Sequence, residues 1–343
     1  MKRTLIRLLY IVFCFYILLS LYGCNQNRIS IAFFKYSGAD TFIVEMMEYM
    51  TSRVPYDINF EVRDAGNSQS VQNQQIVGLI EAGSDLLVIN AVDRLASSAI
   101  VARRASDGTP IIFFNREPLE DALIGNDNVF YVGADADSMG RKQADMAAEL
   151  FTENFAGSRF DRNNDGIVQL VVLKGEQGHQ DAERRTDNSI ARMMELGFRV
   201  EVMAIEVADW NRRDGYEAMR RLVERFGNSI ELIFANNDDM ALGAIDYLLA
   251  AGIFNANWEI YEQPFVIIGV DGTSVGLEAI GKGLLYGTVN NDSVKQSEAI
   301  LALIDFIIND RDFYDFPFTI TRGHYIYIDG TIITLENLAD FYP

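Results

Sequence analysis

Two groups of side chains in this chain have types and spacings suited to chemistry, and they stand at opposite ends of one apolar run. The first is Asp161-Arg162-Asn163-Asn164-Asp165-Gly166, with oxygen donors at every second position and a closing glycine. A loop of that pattern wraps a hard cation such as calcium. With Asp161 as position one, Asn163 and Asp165 take three and five, Ile167 offers a carbonyl at seven, and Gln169 sits at nine. Val172 occupies position twelve, where an EF-hand has its closing glutamate, so a carboxylate from another element must complete the set. Glu231, just before a second apolar run, is the candidate. The plainer alternative is a solvated turn, which Asn, Asp and Gly form without any metal.

The second group begins where the apolar run 167–173 ends, in a polar segment that carries His179, Asp181 and Arg185. Asp40, Phe42, Asn115, Trp210, Asn237, Asp271 and Asn291 stand likewise just past predicted strands, where open α/β sheets bind ligands. Singly, each has a dull explanation: Asp40, Asp181 and Asp271 as helix N-caps, Phe42 as core, Trp210 as interdomain filler. Their shared position argues for a common site. Amides and carboxylates with one arginine and one histidine can donate to and accept from hydroxyl groups, while two aromatic faces can sandwich the C–H surface of a pyranose. Such a set reads a neutral polyhydroxylated ligand, whereas a phosphate or carboxylate would call for a net positive cleft.

Enzyme-like patterns are weak. The segment 276–282 has the glycine and lysine spacing of a P-loop, but Gly283 stands where Ser or Thr must hold magnesium. The only histidines are His179 and His324, and nothing in the spacing selects one carboxylate pair for glycoside hydrolysis. No catalytic residue is assigned.

Positioning these groups requires alternating strands and helices. Apolar runs at 29–34, 58–62, 86–90, 111–114 and 129–132 alternate with helical periodicity, and the pattern restarts with strands at 167–173, 200–205, 232–235 and 265–270. The fold class is therefore α/β, with two similar doubly wound parallel-sheet domains and a hinge between them. The expected lobes are 28–134 plus 292–322 and 135–291 plus 323–343, with strand-like segments at 318–320 and 325–328. Residues 1–23 read as a secretory signal, charged at Lys2, Arg3 and Arg7 and apolar from 8 to 21. The net charge of −20 becomes −23 once those three cations leave, a field that repels nucleic acid and favours cations and neutral solutes. Cys14 leaves with the signal, so Cys24 is the only remaining thiol and a disulfide framework is excluded.

Several stretches together resemble the periplasmic galactose/glucose-binding proteins of bacterial ABC importers, of the type I periplasmic-binding-protein fold. They are Phe34-Lys35-Tyr36, Phe113-Phe114-Asn115-Arg116-Glu117-Pro118, Tyr131-Val132-Gly133, 161–169, 173–185, Ala235-Asn236-Asn237-Asp238 and Gly287-Thr288-Val289-Asn290-Asn291-Asp292. The resemblance implies two lobes that close on one hexose. Asp40, Asn115, His179, Asp181, Arg185, Asn237, Asp271 and Asn291 would bond its hydroxyls and ring oxygen, and Phe42 and Trp210 would stack on its faces. It also implies a structural calcium on Asp161, Asn163, Asp165, the Ile167 carbonyl, Gln169 and Glu231. Leu21-Tyr22-Gly23-Cys24 is similar to a lipoprotein signal in which Cys24 is acylated, placing the protein in the periplasm or at the cell surface. The implied partners are galactose or glucose and an ABC sugar permease, with a monomeric receptor. A subunit that signals to a chemoreceptor or histidine kinase is the alternative. The loop Ser37-Gly38-Ala39 is longer than the family pattern, Gln180 replaces a proline, and Asp239 adds a charge.

Overall fold

The computed structural model describes residues 28–104, 108–151 and 155–341. The signal segment 1–23 and Cys24 lie outside the described residues. In the first lobe, strands β1 (Ser30–Lys35), β2 (Asn59–Asp64), β3 (Leu86–Ile89), β4 (Ile111–Phe114) and β5 (Val129–Ala134) alternate with helices α1 (Thr41–Thr51), α2 (Gln69–Glu81), α3 (Ser97–Ala102) and α4 (Glu120–Leu123). The second lobe holds α5 (Ala136–Phe151), β6 (Val168–Lys174), α6 (Gln180–Glu195), β7 (Val200–Val207), α7 (Arg212–Phe226), β8 (Leu232–Ala235), α8 (Asp238–Ala250), β9 (Val266–Asp271), α9 (Ser274–Gly281) and β10 (Gly287–Asn290). The chain then returns through α10 (Ser293–Ile308) to β11 (Tyr325–Ile328) and ends with β12 (Thr331–Thr334).

Two six-stranded sheets result, ordered β11-β5-β4-β3-β1-β2 and β12-β10-β9-β8-β6-β7. All pairings are parallel except β10 with β12. The burial of each strand follows its place: β3, β4, β5, β6, β8 and β9 are buried along their whole length, as strands covered by helices on both faces must be. The edge strand β2 is exposed throughout and carries alternating charges, Glu61, Arg63 and Asp64, that discourage edge-to-edge pairing.

The boundary of the lobes differs from the expectation at the carboxyl end. Residues 325–328, placed with the second lobe by the division at 322/323, form β11 beside β5 in the first sheet. The reason is aromatic packing: Tyr325 and Tyr327 meet Tyr131 edge-on at 6.2 and 5.9 Å. Segment 318–320 forms no strand. Its apolar character serves a ring cluster instead, in which Phe318 packs on Phe316 and Phe316 on Phe306 and Phe313.

The chain crosses between lobes after β5, after β10 and between β11 and β12. These crossings are tied together. Asp135 N donates to Ile328 O at 3.0 Å, and Asp329 accepts from Ser138 Oγ and Lys142 Nζ. Gly330 is required at the third crossing, because a Cβ there would stand 2.8 Å from Asn290 O.

Candidate functional site

The carboxyl ends of both sheets face one crevice, and the residues just beyond them line a narrow cavity. Its walls are Tyr36, Asp40, Phe42, Asn115, Arg116, His179, Asp181, Arg185, Trp210, Asn237 and Asp271. Nine of the ten expected ligand residues are therefore together. The tenth, Asn291, adjoins this set, its Nδ2 donating to the cavity residue Asp271 through Oδ1 at 3.1 Å. The lengthened loop at 37–39 leaves Asp40 and Phe42 on this wall.

Helix starts fix several of these side chains. Asp40 Oδ1 caps α1 by accepting from Ile43 N, and its Oδ2 accepts from Tyr36 Oη at 2.6 Å. His179 caps α6, its Nδ1 accepting from Asp181 N at 3.1 Å, which leaves the ring proton on Nε2. Asn237 caps α8 through Met240 N and donates from Nδ2 to Trp210 O. Asp181 and Asp271 are not caps: Asp181 lies inside the first turn of α6, Asp271 ends β9, and Thr273 caps α9. Capping and site duties thus coincide at Asp40, His179 and Asn237. The backbone is held in the left-handed half of conformational space at Asn115 (φ 62°), Trp210 (φ 63°) and Asp271 (φ 121°), strain of a kind that concentrates at ligand sites. Gly175 has no side chain because a Cβ would stand 2.3 Å from the Trp210 ring.

Electrostatically, one guanidinium serves two acids. Arg185 Nη2 is 3.2 Å from Asp181 Oδ2, Arg185 Nη1 is 3.6 Å from Asp271 Oδ1, and Nη1 also donates to Asn236 O. Burial pushes Asp181 up to about 6 against the pull of Arg185, and raises Asp271 and Asp40 above the usual carboxylate range. Burial, with Arg116 and Arg185 nearby, holds His179 well below its ordinary value, so its imidazole is neutral. Asp181 Oδ1, Arg185 Nε and Trp210 Nε1 are buried without a protein partner. Buried polar atoms left this way mark hydrogen bonds that another molecule supplies.

Sequence reasoning passed over Tyr36 and Arg116 as site residues. The Arg116 guanidinium lies 3.9 Å over the Tyr36 ring and reaches Glu176 of the other lobe at 2.8 Å. Both stand just past strands, β1 and β4, so the rule that selected Asn115 covered them too. Two further contacts join the lobes: Asp239 accepts from Thr41 N and Oγ1, and Glu45 accepts from Ser274 N and Oγ.

At the amino end of β6 the loop 161–169 is folded around its own carboxylates. Asp161 accepts from the backbone N–H groups of Gly157, Asp165 and Gly166, and Glu231 accepts from those of Arg162 and Gln169. Asn163 Nδ2 and Gln169 Nε2 both donate to Asp165 Oδ2, and Asp165 Oδ1 accepts from Ile167 N. Among the described residues no group of three His, Cys, Asp or Glu side chains is gathered as for a metal. The donor chemistry nonetheless fits a hard cation. Gln169 Oε1 is buried with no partner, and Glu231 is raised by burial and by the negative charges of Asp161 and Asp165. Rotating the two amides would present oxygens in place of their N–H groups.

Residues 31–312 match a family profile described as periplasmic binding protein domain. The chain is 33% identical over 321 residues to the D-galactose/methyl-galactoside binding periplasmic protein of Haemophilus influenzae, covering 92% of each chain. Among solved structures, a solute-binding protein of an ABC transporter from Bacillus halodurans, with bound myo-inositol, is 25% identical with a TM-score of 0.74, covering 93% of this chain and 98% of that one. A periplasmic solute-binding protein from Actinobacillus succinogenes, with bound D-allose, is 20% identical with a TM-score of 0.75, covering 91% and 100%, and shares the fold.

Proposed function

We propose, for a chain that belongs to the periplasmic binding protein family, that it captures galactose or glucose between its lobes by hinge closure and delivers it to an ABC sugar permease. The observation that carries this reading is the set of unpartnered buried atoms Asp181 Oδ1, Arg185 Nε and Trp210 Nε1, gathered in one cavity with the Phe42 and Trp210 rings. Donors and acceptors of both kinds beside apolar ring faces suit a pyranose. The name of the Haemophilus influenzae relative supports a hexose. Calorimetric titration with galactose, glucose, xylose and ribose tests it. One-to-one binding of galactose or glucose, tighter than about −8 kcal/mol and weakened for the two pentoses, is expected. Absence of binding by both hexoses overturns it.

Two further parts belong to this reading. Calcium is a structural ligand of Asp161, Asn163, Asp165, the Ile167 carbonyl, Gln169 and Glu231, remote from the cleft along β6. Its support is the orphaned Gln169 oxygen and the neighbouring acids. Acylation at Cys24 holds the receptor at a membrane in the periplasm, supported by the sequence around it, and loss of fatty-acid labelling in Cys24→Ala is the corresponding check.

A further inference from the structure

At the end of the first lobe away from the cleft, where β1 begins, lies an apolar groove of about 410 Å³. Three segments bound it: Ile29 leading into β1, Val54 and Ile58 between α1 and β2, and Leu301, Ile304 and Ile308 on α10. The α10 residues are spaced three and four apart and so form one stripe, whereas Ile300 and Leu303 of the same helix are buried in the core. That helix is thus apolar on two faces, and on the second Leu301 and Ile308 are only half-buried. None of the groove's residues borders the cavity between the lobes. From the place of the groove beside the start of the described chain, we infer that it seats an acyl chain carried by Cys24. The inference rests on the acylation of Cys24 proposed above.

Reach, size and charge select this occupant. Cys24 precedes Ile29 by five residues in the sequence, an extended span of at most about 18 Å, so a group on its sulfur stays within reach of the groove. The volume takes on the order of fourteen water-sized groups at about 30 Å³ each. A methylene is of that size, so most of one long acyl chain fits. The charges at the rim leave the floor apolar: Arg53 stacks on the Tyr49 ring at 3.5 Å, Asp305 pairs with Arg311 at 3.1 Å, and Asp57 is exposed. A polar segment of a partner would find its groups unmet on such a floor. A second copy of the chain would bring its own large negative charge against this one. Hydrocarbon meets neither penalty. A chain held here is withdrawn from the bilayer, which loosens the anchor, because membrane binding through a single remaining chain is reversible.

The test feeds expressing cells a fatty acid with a photoreactive diazirine in mid-chain, places the purified acylated protein in phosphatidylcholine vesicles, irradiates it and maps cross-links by mass spectrometry. Cross-links to residues 53–58 and 301–309 are expected. Leu301→Glu, which puts a charge into the groove, is expected to reduce them by about tenfold or more. Galactose affinity should change by less than about threefold in that variant, since the groove is separate from the cleft. Cross-links confined to phosphatidylcholine or to other parts of the protein overturn the inference, and so do groove cross-links that persist in Leu301→Glu. Should that variant not fold, as its thermal melt reports, Ile308→Glu at the end of α10 applies the same criterion. Incorporation of the fatty acid no greater than in Cys24→Ala removes the acylation reading, and the inference with it.

Discussion

Asp181 concentrates the chemistry of the cleft: a buried carboxyl, one oxygen on Arg185, the other without a partner, with a pKa pushed up to about 6 by desolvation. A raised acid binds a proton more tightly in the folded than in the unfolded chain. Its stabilising contribution is therefore full below the unfolded value near 3.8 and is lost as pH rises to about 6. The ligand-free melting temperature of wild type, minus that of Asp181→Asn, should accordingly fall between about pH 4 and pH 6.5. A difference independent of pH would contradict it. Hydrogen bonds to charged groups are worth roughly 1.5 to 3 kcal/mol, so alanine at Asp40, Asp181 or Arg185 should each weaken hexose binding by about tenfold to a hundredfold. Wild-type affinity in all three would remove them from the site.

At the scale of elements, β6 joins the two chemical groups, with the acidic loop at its amino end and α6 with Asp181 and Arg185 at the other. If that loop holds calcium, chelation with EDTA should lower the melting temperature by roughly 5–10 °C. Glu231→Gln should remove most of that sensitivity. An unchanged melting temperature, with no metal co-purifying, would make the loop a plain turn. Periodicity read most of these elements because β1, β3, β4, β6, β8 and β9 are apolar throughout or nearly so, and Gly, Asn and Asp punctuate their ends. It failed where apolar residues pack without pairing, as Phe318 does in the ring cluster, and where partner choice rests on tertiary contact, as with Tyr325 and Tyr327 on Tyr131. The position of side chains past strand ends made nine cavity residues legible. Asn291 passed the same rule and stands beside them, bonded to Asp271.

Across the whole molecule, the lobes are held together outside the narrow cavity by Arg116–Glu176, Thr41–Asp239 and Ser274–Glu45. Each contact exists only with the lobes apposed, so each adds to the apparent affinity without touching the ligand. Glu45→Ala and Ser274→Ala should each weaken hexose binding by about 0.5–1.5 kcal/mol, mainly through faster release. Their double variant should cost little more than either single one. Full additivity, or unchanged affinity, would contradict the role given to this contact. Asp239, the extra acid beside Asn237 and Asp238, finds its use here, bonding the start of α1 in the opposite lobe.

The protein has two tryptophans, Trp210 in the cleft and Trp258 on the surface. Trp258→Phe therefore leaves Trp210 as the single tryptophan, in the cleft proposed to take the hexose. Titrating that variant with galactose and with glucose should give a saturable change in Trp210 emission, with a Kd matching calorimetry for at least one of them. No spectral change with either hexose, at concentrations where calorimetry shows saturation, would contradict capture in this cleft.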